Sequence, residues 1–459
     1  MASSRKCAPD DLPDRVARAL TSRIRPGQRL TAALSGGADS VALLHLLKAQ
    51  AGTGGYRLSA LHVHHGLSPH ADRWQRFCLE LCAALEVPCS AVRVSVDPAS
   101  PLGVEAAARE ARYRVFATAD TDVLALAHHR DDQVETLLLQ LLRGAGPRGA
   151  AGMPSERALR GSAVRLVRPL LDVPRQVLRE YASAHGLGWI DDESNADPSR
   201  ARSFVRHDWL PRAAARFPGS VGALARAARL QGEAALLLED LAAIDGAGAM
   251  GPGRLDLARA AALTPPRARN LLRHFLGRHG LAAPPSARLD EFLRQAAHAR
   301  PDARARLDLP GWNVHIWRNS AWLVRAVASP GALPRWAGEP ALALGPGLGS
   351  LQIRGTAGRG VSAARAAAEG LEVRWRRGGE RLRLRRDGPH QRLKALLQER
   401  NVPPWMRRRL PLAFVGDRLA WVPGVGCAWE LAAGPGEPGL ELEWVPEPGL
   451  AADGRPLAW

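Results

Sequence analysis

Lysine is almost missing from this chain of 459 residues: it occurs only at Lys6, Lys48 and Lys394. The formal net charge is nevertheless +18, with 63 basic against 45 acidic residues, so arginine carries it. A codon preference explains arginine in place of lysine but not the excess of base over acid. That excess favours a polyanionic partner, because a guanidinium pairs with phosphate in a bidentate fork; alone it is a weak signal. Aromatic residues are scarce at 5%. The five cysteines (Cys7, Cys78, Cys82, Cys89 and Cys427) are odd in number and form no C-x-x-C, so no disulfide framework or zinc site is expected. No run of 18 apolar residues exists, and residues 1–10 are polar with no apolar h-region. Neither secretion nor membrane spanning is expected, which predicts a cytoplasmic protein.

With 46% hydrophobic residues there is material for real cores, and the length suggests two to four domains. Strands are predicted at 30–34, 58–64, 90–96 and 123–127, alternating with helices at 39–49, 72–85, 104–118 and 131–143. This alternation implies an α/β fold with a parallel sheet covered on both faces, over residues 1–217. Ligands on such sheets sit at the carboxyl ends of the strands. Residues 218–326 read as mainly helical, with helices at 221–244 and 266–279 and a strand pair turning at Arg318-Asn319. The Gly/Pro/Ala-rich residues 327–370 read as a linker or irregular connection. Residues 371–445, with short strands and a helix at 390–400, read as a small α+β domain.

Ser35-Gly36-Gly37-Ala38-Asp39-Ser40 follows the first strand and opens a helix. The glycines let the backbone curl around an anion, the free amides point at it, and the helix dipole adds attraction. There is no Walker G-x-x-x-x-G-K-S/T. Ordinary helix capping uses the same residue types. The hexapeptide resembles the pyrophosphate loop of the N-type ATP pyrophosphatases. That resemblance implies cleavage of ATP between the α and β phosphates with an adenylated intermediate. It leaves the substrate open.

Further motifs narrow the choice. His62-Val63-His64-His65-Gly66-Leu67 closes the second strand, with histidines scattered over two faces and suited to lining rather than ligating. Glu105, Arg109 and Arg112 fall on one helical face, which a solvated ion-pair face would also do. His128-His129-Arg130-Asp131-Asp132-Gln133-Val134-Glu135-Thr136 opens the fourth helix with Asp132 and Glu135 on one face, where carboxylates can cap the helix or hold a cation. Arg168-Pro169-Leu170-Leu171 and Asp192-Glu193-Ser194-Asn195 follow, then Arg202 and Arg206, four apart and suited to phosphate. In this order the motifs resemble the tRNA(Ile)-lysidine synthetases, with His64 and Ser203 standing where that family has Asn.

Residues 374–409 hold thirteen Arg/Lys and three acids, net +10, more than half the total charge. Concentration of this kind points to an RNA backbone. The segments containing Arg377, Arg381, Lys394 and Arg407 look like that family's C-terminal domain. Trp405, after Pro403-Pro404, suits either base stacking or core packing.

The resemblance implies a ligase forming a carbon–nitrogen bond. ATP and Mg²⁺ would sit on residues 35–40, with Asp39 holding the metal and His62 and His128 lining the nucleotide. Asp39, Arg109, Arg112, Asp132 and Glu135 would be catalytic. Glu105, Arg202, Arg206 and the four C-terminal basic residues would meet the other substrates, a tRNA(Ile) with anticodon CAU and free L-lysine. A homodimer is compatible with all of this. The alternatives are a tRNA thiolase of the same superfamily, which would need paired reactive cysteines, and a non-catalytic RNA-binding protein.

Overall fold

The computed structural model describes residues 8–447 except 98, 102, 160, 192–200, 299–304, 327–332, 334 and 335. The Asp192-Glu193-Ser194-Asn195 motif therefore lies outside the described residues. The chain forms two units, Met1–Leu237 and Leu238–Trp459.

The first unit runs α1 (Leu12–Thr21), β1 (Arg29–Ala33), α2 (Ala38–Gly54), β2 (Arg57–His64), α3 (Ala71–Ala84), β3 (Cys89–Arg93), α4 (Val104–Thr118), β4 (Val123–Ala125) and α5 (Arg130–Leu142). It continues with α6 (Pro147–Ala150), β5 (Glu156–Ala158), β6 (Arg165–Val167), α7 (Arg175–Ala184), α8 (Ala201–Phe204), a π turn (Val205–Trp209) and α9 (Leu210–Arg216). The sheet order is β3-β2-β1-β4-β6-β5, parallel except for the edge strand β5. All four predicted strand–helix pairs are present; α1, α7 and the β5–β6 edge were not predicted.

Strand β1 is buried along its centre, and its one polar central residue is tolerated because Thr31 Oγ1 bonds Ser59 Oγ on β2 at 2.8 Å. Helix α2 is apolar all round because it lies between the sheet and the flanking α1 and α7. Leu43, Leu44, Leu46 and Leu47 are fully buried there, each stabilising the fold by roughly 1.5–3 kcal/mol. The chain runs from β1 through β2 to β3 on one side, then crosses to β4 on the other. That reversal opens a crevice beyond the carboxyl ends of β1 and β4.

Helix α10 (Ser220–Asp245) spans the division between the units. The region after it is more than helical. Strands β7 (Met250–Gly251), β8 (Arg254–Asp256), β9 (Arg306–Leu309), β10 (Trp312–Trp317) and β11 (Ser320–Arg325) form an antiparallel sheet packed on α11 (Leu257–Ala261), α12 (Pro265–Arg278) and α13 (Ser286–Ala297). The β10–β11 hairpin turns at Arg318 and Asn319, both at positive φ as a tight two-residue turn requires.

The expected linker is largely structure. Strands β12 (Ala341–Ala343), β13 (Ser350–Ala357) and β14 (Val361–Ser362) join a sheet completed by the last strand, Pro438–Val445. Its glycines mark close backbone approach, not slack: a Cβ on Gly360 (φ +77°) would lie 2.0 Å from Leu440 O. Helix α14 (Ala363–Glu369), β15 (Leu371–Trp375), α15 (Leu393–Glu399) and α16 (Pro404–Arg407) belong to the same module. Among the described residues no helix is long and apolar enough to cross a membrane.

Candidate active site

Residues 35–40 bridge β1 to α2. Gly36 takes φ +90°, and a Cβ there would meet Ile190 Cδ1 at 2.9 Å, so only glycine fits. Ser40 Oγ donates to Gly37 O at 2.9 Å, accepts Ser35 N–H at 3.2 Å and lies 3.1 Å from Ser35 Oγ. The serines thus hold the loop's shape. Gly37, the N-cap, contributes no side-chain cap to this 17-residue helix; Ser40 N–H donates to Gly37 O at 3.0 Å, and among the described residues the Ala38 and Asp39 amides have no partner and stay open to an anion.

The loop borders a cavity of about 650 Å³. Ser35, Gly37, Asp39, Ser40, His62, Arg112, Tyr113 and His128 are among its walls. His62 donates Nδ1–H to Leu34 O at 2.9 Å, which fixes its ring at the end of β1. His64 is buried with Nε2 3.2 Å from Asp72 Oδ1. Burial pushes His65 down to about 4, with Arg112 adding to the effect. Among the described residues, no three His, Cys, Asp or Glu side chains cluster as a metal-binding set. Arg112 reaches the cavity, whereas Glu105 and Arg109 are exposed; Arg109 covers the Tyr113 ring at 4.9 Å.

Asp39 is only partly exposed. Its Oδ2 lies 3.5 Å from His129 Nε2 and 3.8 Å from Arg175 Nε, and its buried Oδ1 has no hydrogen-bond partner among the described residues. His129 caps α5 reciprocally with Asp132. Burial alone would lower the His129 pKa, but Asp39, Asp132 and Asp131 together raise it above its ordinary value. Sequence reasoning gave no role to His129, which sits inside the motif between His128 and Asp132, or to Arg175, which no local pattern marks.

Asp132 and Glu135 do come together, but neither is among the walls of the cavity. Glu135 is 1% exposed and receives Arg202 Nε at 2.7 Å and Arg206 Nε at 2.6 Å. Both guanidiniums also reach Asp132 Oδ1 at 3.0 Å. Burial opposes charge on Asp132, but His129 and Arg202 outweigh it and hold that carboxyl at about 2. The pair expected to face phosphate is therefore committed to the pair expected to face the crevice. A π turn delivers Arg206: Pro211 has no N–H and its ring crowds the carbonyl four residues back, so Leu210 N–H bonds Val205 O instead.

In the second unit Arg377, Arg381 and Lys394 are exposed, while Arg407 is half-buried and donates Nε–H to Val402 O at 2.8 Å. Trp405 packs inward, stacking on His315 at 4.7 Å and meeting Trp317 edge-on at 6.0 Å.

Comparison with known proteins agrees with this layout. A PP-loop domain model matches residues 12–213, a TilS substrate binding domain 255–322, and a TilS substrate C-terminal domain 371–444. The tRNA(Ile)-lysidine synthase of Nitrosomonas europaea is 40% identical over 97% of this chain and 98% of its own length. The chain belongs to the tRNA(Ile)-lysidine synthase family. A second such synthase, from Aromatoleum aromaticum, is 44% identical over 93% of this chain and 99% of its own. Among solved structures, a U34-tRNA thiolase from Methanococcus maripaludis matches 48% of this chain and 78% of its own at 18% identity and TM-score 0.43, too distant to bear on substrate. In this lysidine synthase relative, the two departures from the family pattern are both accommodated: His64 pairs with Asp72, and Ser203 is buried within α8.

Proposed function

We propose that the chain ligates free lysine to the wobble cytidine of the minor tRNA(Ile) with anticodon CAU, driven by ATP, in the cytoplasm. The observation that carries this reading is the glycine loop of residues 35–40, which leads into a helix N-terminus without a side-chain cap at the edge of the 650 Å³ cavity, in a chain of this family. The loop holds the pyrophosphate portion of ATP. The 2-keto oxygen of the cytidine attacks the α-phosphorus, the bond to the bridging oxygen breaks, and pyrophosphate leaves. The lysine side-chain amine, having lost a proton, then attacks the activated carbon, and AMP departs with the former keto oxygen. Adenylation turns a poor leaving oxygen into a good one. The protein supplies orientation and fixed charge, and no side-chain nucleophile is needed.

Asp39 fits Mg²⁺, because its Oδ1 is buried with no hydrogen-bond partner among the described residues. Asp39 would hold the ion, which would supply charge neutralisation at the phosphates. Arg112, on the cavity wall, suits the phosphate or target nucleotide, and Arg109 and Glu105 suit the RNA approaching it. Asp132 and Glu135 are the receptor for the lysine ammonium, which competes with Arg202 and Arg206 for the same oxygens. Arg377, Arg381 and Lys394 face the tRNA backbone, with Arg407 supporting them. Thiolase chemistry is disfavoured: Cys78 and Cys82 are buried, and burial pushes the Cys78 thiol up to about 12. The test is mass spectrometry of nucleosides from a tRNA(Ile) transcript incubated with enzyme, ATP, Mg²⁺ and lysine. Lysidine at the wobble position is expected; unmodified cytidine there would refute the assignment.

A further inference from the structure

Arg168 is a buried charge that the chemistry above leaves unused. It follows β6, is 3% exposed, and donates Nε–H to His128 Nδ1 at 3.2 Å and an Nη1–H to Pro154 O at 2.7 Å. A guanidinium can only donate, so Nδ1 of His128 must present its lone pair. In a neutral imidazole the proton then sits on Nε2. The ring is neutral: burial pushes His128 down to about 3, with Arg168, Arg202 and Arg109 opposing protonation and Asp132 favouring it. His128 is a wall of the cavity that the loop of residues 35–40 borders, and no described residue bonds its Nε2.

We propose that Arg168 is a positioning residue that fixes His128 as an Nε2–H donor to a phosphoryl oxygen of the bound nucleotide. The proposal rests on the ATP reading of the cavity. A neutral, pre-oriented donor stabilises charge that develops on phosphate without reorganising when it appears. It also excludes His128 as a general base toward that oxygen, since the lone pair faces Arg168.

Two measurements test it. The first needs no activity. In full-length protein labelled with ¹⁵N-histidine, near neutral pH, the His128 ring should show a protonated Nε2 and an unprotonated Nδ1. The signal is assigned by its loss in His128→Gln. In Arg168→Gln the ring should relax to a mixture of tautomers. A wild-type ring protonated on Nδ1, or on both nitrogens, overturns the proposal. The second reads tRNA-dependent pyrophosphate release. His128→Gln places an amide nitrogen near the lost Nε2, whereas His128→Asn places it near Nδ1. Gln should retain activity to within about tenfold and Asn should lose about 100-fold, the scale of a missing oxyanion donor. Asn equal to or better than Gln also overturns it. If wild type releases no pyrophosphate, the nucleotide reading fails, while the ¹⁵N pattern still decides the tautomer.

Discussion

Two sets of arginines, one in each unit, are put to opposite uses. In the first, Arg168, Arg202 and Arg206 are largely buried and bound to named atoms of His128, Asp132 and Glu135. In the second, Arg377, Arg381, Arg385, Arg392, Lys394 and Arg408 are exposed, and no ion pair engages them among the described residues. The same side chain is a fixed strut where water is excluded and a source of long-range field where it is not. A buried guanidinium must be satisfied locally, because desolvating it unpaired costs several kcal/mol. An exposed one stays hydrated and is free to release counterions from a polyanion. Replacements in the first unit should therefore act steeply and specifically, and replacements in the second gradually and in proportion to number.

The steepest effect is expected at Asp39. Asp39→Ala should fold, because the residue lies partly exposed in the first turn of α2 and alanine is compatible with a helix, but lose pyrophosphate release by about 100-fold or more. Circular dichroism checks folding and a coupled phosphate assay checks activity; activity near wild type would remove Asp39 from the site. Next comes Glu135→Gln, which removes the more deeply buried of the two carboxylates that Arg202 and Arg206 share and leaves them only Asp132. A stability loss of about 2–4 kcal/mol is expected, together with a raised KM for lysine and unchanged tRNA affinity. Denaturant melts and steady-state kinetics check both. A fall in tRNA affinity with an unchanged KM for lysine would assign the carboxylate to RNA instead.

How much of this was legible beforehand differs between the units for the same physical reason. The α/β alternation and the loop at residues 35–40 are local patterns, and both appear where the sequence put them. The pairing of Arg202 and Arg206 with Asp132 and Glu135 joins residues some 70 positions apart, and neither segment's spacing reveals it. Periodicity correctly set each pair on one helix face but could not say that the two faces meet. The edge strands β5 and β7 have only three and two residues, too few to establish a period. Residues 341–362 read as linker because glycine marks both a flexible chain and a tight backbone approach, and only the partner strand at Pro438–Val445 separates the two.

In the second unit the gradual rule can be measured. Replacing Arg377, Arg381, Arg385 and Lys394 together by Gln should leave stability unchanged, because all four are exposed. tRNA affinity should fall, and the slope of log affinity against log salt should flatten by about 0.7–0.9 for each phosphate left without its cation, or about three units if all four side chains meet phosphate. Affinity measured at three or more salt concentrations checks this; parallel slopes would remove these residues from the RNA-binding surface. Single replacements should give a fraction of the effect, unlike those at Asp39 or Glu135.

The smallest effect tests the division from the other side, since the second unit also contains packed titratable groups, His315 among them. His315 stacks on Trp405, beside Arg306 and Asp308 of β9 and near Arg409. Burial, with Arg306 and Arg409 adding to it, lowers its pKa from 6.5 to about 4. Between those values the unfolded chain binds a proton that the folded chain refuses. The stability His315 contributes is therefore whole above pH 6.5 and drains away as pH falls toward 4. Discounted for partial exposure, the loss by pH 5 is about 1–2 kcal/mol. Carboxylates titrate in the same range, so the measurement is a difference: urea unfolding of wild type and His315→Phe, followed by tryptophan fluorescence from pH 7.5 to 5. Phe keeps an aromatic face against Trp405 but takes no proton, so the variant should gain on wild type by that amount as pH falls. Parallel curves would mean that water reaches His315 and that the Trp405 junction is as open as the arginines around it.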